Sequence, residues 1–125
     1  MPDVQAGWLV GSQARGQARP DSDVDVAVLL APMHTDDPLE IILRPERLAD
    51  DLGGVVHKPV DVLDVERIAP ITFAIVMRDA KLLVDRDPTR RAEVLGRQFA
   101  MWHDMQPHYD LQREAVREYF SRRGK

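Results

Sequence analysis

Two short stretches near the start of the chain carry side chains that could do chemistry together. Gly11 and Ser12 follow an apolar run, and ten residues separate them from Asp23 and Asp25, which open the segment 23–30. If that segment is a strand, both aspartates point to one face. Two carboxylates so close repel each other unless a cation lies between them, and Mg²⁺ prefers such hard oxygen ligands. These aspartates predict a metal site, and a solvated strand end is the simpler alternative.

The glycine-rich stretch does not complete a P-loop. Gly11 and Gly16 have the P-loop spacing, but Gln17 and Ala18 stand where that motif requires Lys and then Ser or Thr. No G-x-G-x-x-G dinucleotide fingerprint occurs in the chain either. What remains is a turn between a strand and the start of a helix.

Such a turn can still bind phosphate through its backbone. We expect Ser12 to act as the N-cap of a helix that presents N–H groups and partial positive charge to an anion. Arg15 and Arg19 add guanidinium groups that suit phosphate. Taken alone, this pattern only weakly indicates phosphate binding.

A third carboxylate is available in PVDVLDV, residues 59–65. Asp61 and Asp64 would fall on opposite faces of this strand, so at most one of them can converge on Asp23 and Asp25. Asp64 lies where the strand ends, and we interpret it as the N-cap of the next helix.

The elements that must position these residues alternate along the chain. Apolar runs and helical spacing predict an α/β domain with a helical C-terminal end. We expect a break or kink at Pro45 and another at Pro107. The predicted strands are 6–10, 23–30, 59–65 and 81–85, and the predicted helices are 39–53, 66–79 and a long helix from Pro88.

Length and composition narrow the possible classes of protein. A chain of 125 residues predicts one domain, which we divide into a catalytic core at 1–87 and a helical segment at 88–125. The absence of cysteine excludes disulfides and thiol catalysis. Because no signal peptide or long apolar span is found, we expect a cytoplasmic protein that does not enter membranes. The net charge of −4 argues against direct nucleic-acid binding.

The stretch GSQARGQARPDSDVDVAV resembles the G-S-x10-D-x-D signature of the DNA polymerase β-like nucleotidyltransferases, and in particular its minimal members. Those minimal members run G-S-x-A-R-G and then S-D-x-D. The resemblance implies the nucleotidyltransferase fold, in which helices flank a small mixed sheet. It favours Asp61 as the third carboxylate. Family members usually carry a helix before the first strand, and we expect it to be missing or shortened in this sequence.

The resemblance also implies a site and a substrate. ATP would be the substrate, and two Mg²⁺ ions would be held by carboxylates. The implied catalytic and metal-binding residues are Asp23, Asp25 and Asp61, and the implied nucleotide-binding residues are Gly11, Ser12, Arg15 and Ser22.

The size and motif resemble the minimal nucleotidyltransferase antitoxins that are paired with HEPN-domain toxins. This implies transfer of AMP from ATP to a tyrosine hydroxyl of a partner HEPN ribonuclease, which neutralises the toxin in a hetero-oligomer. The alternatives are nucleotide transfer to a small molecule, as in aminoglycoside nucleotidyltransferases, and an antitoxin that acts only by occluding its partner.

Overall fold

The computed structural model describes residues 3–16 and 23–123. Its centre is one four-stranded sheet with the order β3-β2-β1-β4. β1 is antiparallel to both β2 and β4, whereas β2 and β3 are parallel, so the sheet is mixed as predicted. The strands are β1 (Val4–Val10), β2 (Val24–Leu30), β3 (Val60–Asp64) and β4 (Lys81–Asp85).

In the described ranges, four α-helices pack around this sheet or extend from it. They are α1 (Gly11–Ala14), α2 (Pro38–Val56), α3 (Pro70–Val76) and α4 (Pro88–Arg123), and a 3-10 turn follows α3 at Met77–Asp79. Neither Pro45 nor Pro107 ends its helix, so neither proline causes the break that was one of the two expected outcomes. A proline inside a helix removes one N–H donor, and in both helices the chain continues past that loss.

One face of the sheet carries the hydrophobic core. Alternate residues of β1 and β2 are buried there under α3 and α4, as the period-2 pattern of the strands requires. Phe73 of α3 and Val94 of α4 pack against them. The strand residues of this core are Ala6, Trp8 and Val10 from β1 and Ala27 and Leu29 from β2.

The opposite face of the sheet is covered only in part, by α2. Leu48 and Leu52 of α2 line an apolar cleft of about 380 Å³ together with Val26 and Val28 of β2. Asp37 caps the start of α2, since its carboxylate accepts a hydrogen bond from the Leu39 N–H at 3.0 Å. Across the ranges that the structure describes, no helix is long and apolar enough to cross a membrane.

Two side chains fix the first half of α4 to the sheet. The Arg90 guanidinium donates to Gln5 Oε1 at 2.6 Å and to Glu66 Oε1 at 2.9 Å. The buried amide of Gln98 donates to the Val65 carbonyl at 2.8 Å. These contacts hold α4 against the strand ends, whereas residues 103–119 extend beyond the core and are largely exposed.

Candidate active site

The turn between β1 and α1 places Gly11 against the carboxylate of Asp25. Gly11 has φ +69°, a left-handed conformation that glycine adopts at little cost. A Cβ built on Gly11 would lie 3.3 Å from both Cβ and Cγ of Asp25 and would overlap its Oδ2. Both the backbone angle and the lack of a side chain are therefore needed for this close approach.

The carboxylates of Asp25 and Asp61 lie side by side. The two residues are register partners across the parallel β2–β3 pair, so their side chains leave the sheet on the same face. The charge and side-chain hydrogen bonding of Asp61 both raise the pKa of Asp25, so the two carboxyl groups lie close together. Asp23 lies two residues before Asp25, immediately before β2, and its side chain is exposed. The structure thus brings together the three aspartates that the sequence analysis assigned to one site.

The electrostatics of this group favour a bound cation. Burial raises the pKa of Asp25 above its ordinary value, and the nearby charges of Asp61 and Asp23 raise it further. The positive charge of Arg15 lowers the pKa of Asp25, so the Arg15 side chain lies near the carboxylates. A cation between these oxygens would relieve the repulsion among the carboxylates that contributes to the raised pKa of Asp25.

The carboxylate oxygens of these residues are hard ligands, which suit a hard divalent ion such as Mg²⁺. In the ranges 3–16 and 23–123, however, no three carboxylate or imidazole side chains already surround a common point closely enough to hold a metal. The carboxylates would have to rotate about their side-chain bonds to close on an ion.

The phosphate-binding side of the site differs from the expectation in one respect. Ser12 is not the N-cap of α1: the cap position is Val10, which has extended backbone and makes no side-chain capping bond. The reason is that Gly11 itself begins the helix, so Ser12 lies one position inside the first turn. Ser22 and Arg19, also predicted to contact the nucleotide, lie outside the described residues.

Asp64 takes part in a turn rather than in a helix cap. Its Oδ1 accepts the Glu66 N–H at 3.0 Å, and its carbonyl accepts the Ile68 N–H at 3.1 Å. The predicted helix 66–79 starts instead at Pro70, so the prediction of Asp64 as its N-cap is wrong. The residue before a proline is disfavoured in helical conformation, which prevents the helix from running through Ala69.

The structure adds a residue that the sequence analysis missed. Glu46 of α2 lines a cleft of about 430 Å³ together with Asp25, Asp61 and Val62. In the sequence Glu46 is only a charged residue on the exposed side of a helix, and nothing marks it as a neighbour of the aspartates. Its position depends on how α2 packs beside β3.

A glycine turn that lies against carboxylates on adjacent strands is an arrangement typical of enzymes that transfer nucleotidyl groups. Comparison with known protein families agrees with this class. Residues 1–89 match the family described as "Polymerase beta, Nucleotidyltransferase", and the chain belongs to that family. The family resemblance predicted from the motif is confirmed.

Individual relatives are also similar to this chain. The protein adenylyltransferase MntA of Shewanella oneidensis (strain MR-1) is 32% identical over 83 residues, which are 66% of this chain. The match spans about half of that relative, 55% of its length.

Solved structures with the same fold include two toxin–antitoxin complexes. A toxin–antitoxin crystal structure with AMP-PNP has a TM-score of 0.74 at 22% identity, covering 93% of this chain and 88% of that one. A structure of tri-AMPylated Shewanella oneidensis HEPN toxin in complex with MNT antitoxin has a TM-score of 0.67 at 20% identity, with coverage of 93% and 85%. At these identities the likeness shows the fold.

Proposed function

We propose that this chain is an antitoxin that transfers AMP from ATP to a tyrosine hydroxyl of a partner HEPN-domain ribonuclease, and so neutralises it. The observation that carries the proposal is the contact of Gly11 with Asp25 and of Asp25 with Asp61. These contacts place a turn that could bind phosphate next to carboxylates that could bind a metal ion or accept a proton. The similarity to a protein named as an adenylyltransferase supports AMP as the transferred group.

The reaction balances as a substitution at the α-phosphorus of ATP. The tyrosine oxygen forms a bond to that phosphorus, the bond from it to the oxygen bridging toward the β-phosphorus breaks, and pyrophosphate leaves. Asp61 accepts the hydroxyl proton, since its carboxylate lies at the edge of the sheet beside Asp25. When bound by Asp23, Asp25 and Asp61, Mg²⁺ supplies charge neutralisation and orientation of the phosphates.

The residues of the β1–α1 turn hold the rest of the nucleotide in this proposal. Gly11 and Ser12 face the β- and γ-phosphates, and Ser22 contributes a second hydroxyl. Arg15, whose charge reaches Asp25, neutralises the leaving pyrophosphate.

The outer part of α4 is the proposed docking surface for the helical toxin. Residues 103–119 are largely exposed and carry apolar side chains, of which Leu111 is 67% and Val116 is 54% exposed. Exposed apolar residues along one helix suit an interface with another helix. We infer a cytoplasmic hetero-oligomer that does not bind nucleic acid directly.

The proposal is tested by mixing the chain, labelled ATP, Mg²⁺ and the partner HEPN protein. Label on a toxin tyrosine that is lost in Asp25→Asn and retained in the surface control Asp51→Asn supports it. Full neutralisation without transferred label would support occlusion instead, and label moving only to an added aminoglycoside would support a small-molecule acceptor.

A further inference from the structure

β3 forms one edge of the sheet, beside the candidate active site. In the part of the chain that the structure describes, β2 is the strand that pairs with β3, and none pairs with its outer side. The Val24 N–H donates to the Pro59 carbonyl and the Val65 N–H donates to the Val28 carbonyl, both at 3.0 Å. Odd-numbered residues from 59 to 65 thus turn their backbone groups toward β2. The alternate residues turn theirs outward.

Val60 and Val62 present these outward groups. The Asp64 carbonyl is already used by the turn that follows β3. Within the part of the chain that the structure describes, the outward N–H and C=O groups of Val62 have no hydrogen-bond partner. Unpaired groups on a strand edge are a template for an added strand.

The cleft of about 430 Å³ runs along this edge and is continuous with the catalytic carboxylates. Asp25 and Asp61 line it on the face of the sheet that carries α3 and α4, and Val62 and Glu46 line it on the α2 side. A strand added to β3 would alternate its side chains between these two sides. One side chain would reach Asp61, and its immediate neighbours would reach Glu46.

We propose that the acceptor protein presents its tyrosine on an extended segment that pairs with the outer edge of β3, and that Glu46 selects a basic residue next to that tyrosine. This inference rests on the proposed function, because it names how the acceptor of that same site is bound. The occupant is a basic extended peptide segment, since Glu46 borders the cleft apart from the carboxylates assigned to the metal, and the outer edge of β3 lies along the same cleft.

The first test removes the outward hydrogen-bond donor without touching the β2–β3 ladder. Val62→Pro eliminates the outward N–H, and proline is tolerated on the free side of an edge strand. We expect unchanged AMP-PNP binding, and a fall of about tenfold in kcat/KM for the partner protein. Wild-type transfer by this variant would overturn the inference.

The second test does not depend on a variant that folds. Amide hydrogen exchange of the wild-type chain is compared with and without the bound partner protein. Val60 and Val62 N–H groups should become protected, whereas the amides of Asp61 and Leu63, already paired with β2, should change little. Equal exchange at Val62 in both states would overturn the pairing.

The third test addresses Glu46 by charge reversal. Glu46→Lys should lower kcat/KM for the partner by about fivefold, as expected for a partly exposed ion pair. Replacing the basic neighbour of the modified tyrosine with Glu should restore it. Asp51→Lys, on the same helix but outside this cleft, is the matched control. An equal effect of both variants, or a modified tyrosine without a basic neighbour, would overturn the role of Glu46.

These outcomes are separable from failure of the proposed function. If the wild-type chain labels no protein from ATP, the proposed function fails and the acceptor inference falls with it. If the wild-type chain labels the toxin but Val62→Pro does so equally well, only the acceptor inference fails.

Discussion

Gly11 lies directly against the carboxylate of Asp25, at the point where β1 turns into α1. A Cβ at position 11 would come within 3.3 Å of the Asp25 Cβ and overlap the carboxylate oxygen. Val10 and Asp25 are register partners across β1 and β2, so the turn and the carboxylate are fixed relative to each other by the sheet. This contact couples the geometry of the turn proposed to bind phosphate to that of the carboxylate proposed to bind a metal.

Gly11→Ala should therefore abolish nucleotidyl transfer even in a folded protein. The added methyl must displace the Asp25 side chain, and the positive φ adds strain of roughly 1–2 kcal/mol. Gly16→Ala is a matched control, because Gly16 has φ +68° and nothing lies within 4 Å of its Cβ position. Equal losses of transfer in the two variants, at equal thermal stability, would show that backbone strain alone matters.

The pKa of Asp25 should respond to its neighbours in a defined order. Burial is the largest cause of its raised pKa, followed by the charge of Asp61 and then that of Asp23. In metal-free protein, Asp61→Asn should lower the Asp25 pKa more than Asp23→Asn does, and neither should return it fully to 3.8. NMR titration of the Asp25 carboxyl carbon measures this. A larger effect of Asp23→Asn would contradict the arrangement.

Asp64 should make the protein less stable as the pH rises. Burial raises the pKa of Asp64 in the folded protein above its ordinary value of 3.8. Its protonated form therefore stabilises the fold below pH 3.8, and this stabilisation is lost as the pH rises through the folded pKa. Asp64→Asn keeps an oxygen for the Glu66 N–H and cannot ionise. The unfolding free energy of the Asp64→Asn variant should therefore depend less on pH between 3.8 and the folded pKa of Asp64.

Denaturant unfolding at several pH values measures the effect of Asp64→Asn. Asp64→Ala serves as the control, because it also removes the acceptor for the Glu66 N–H at 3.0 Å. That variant should be less stable than Asp64→Asn at every pH. If the unfolding free energy of Asp64→Asn changed with pH as steeply as that of the unaltered chain, Asp64 would not be the source of the pH dependence.

Arg90 should contribute far more to stability than its neighbour Arg91. Arg90 hydrogen-bonds Gln5, Leu30 and Glu66 and is 18% exposed, so Arg90→Met leaves part-buried partners unsatisfied. We expect a loss of about 2 kcal/mol of unfolding free energy. Arg91→Met breaks one contact to Asp85 at the surface and should cost less than about 1 kcal/mol. Thermal denaturation of both variants provides the comparison.

Much of the strand pattern could be predicted from the sequence, because β-branched runs such as DVDVAVLL alternate visibly. The helix boundaries were harder to predict from the sequence. The start of α3 at Pro70 depends on the restriction that proline places on Ala69, although apolar spacing suggested an earlier start. Ser12 was expected to cap α1, and the turn at Gly11 moved it into the helix.

The sequence by itself determined the family, since Gly11, Ser12, Asp23 and Asp25 form a motif whose meaning lies in spacing along the chain. It also placed Asp61 on a strand. Only the tertiary structure decided that Asp61 stands in register with Asp25, because strand pairing is set by contacts between distant segments. The same holds for Glu46, which lines the cleft beside Asp25 and Asp61 only through the packing of α2, and for the edge position of β3, which the strand order decides.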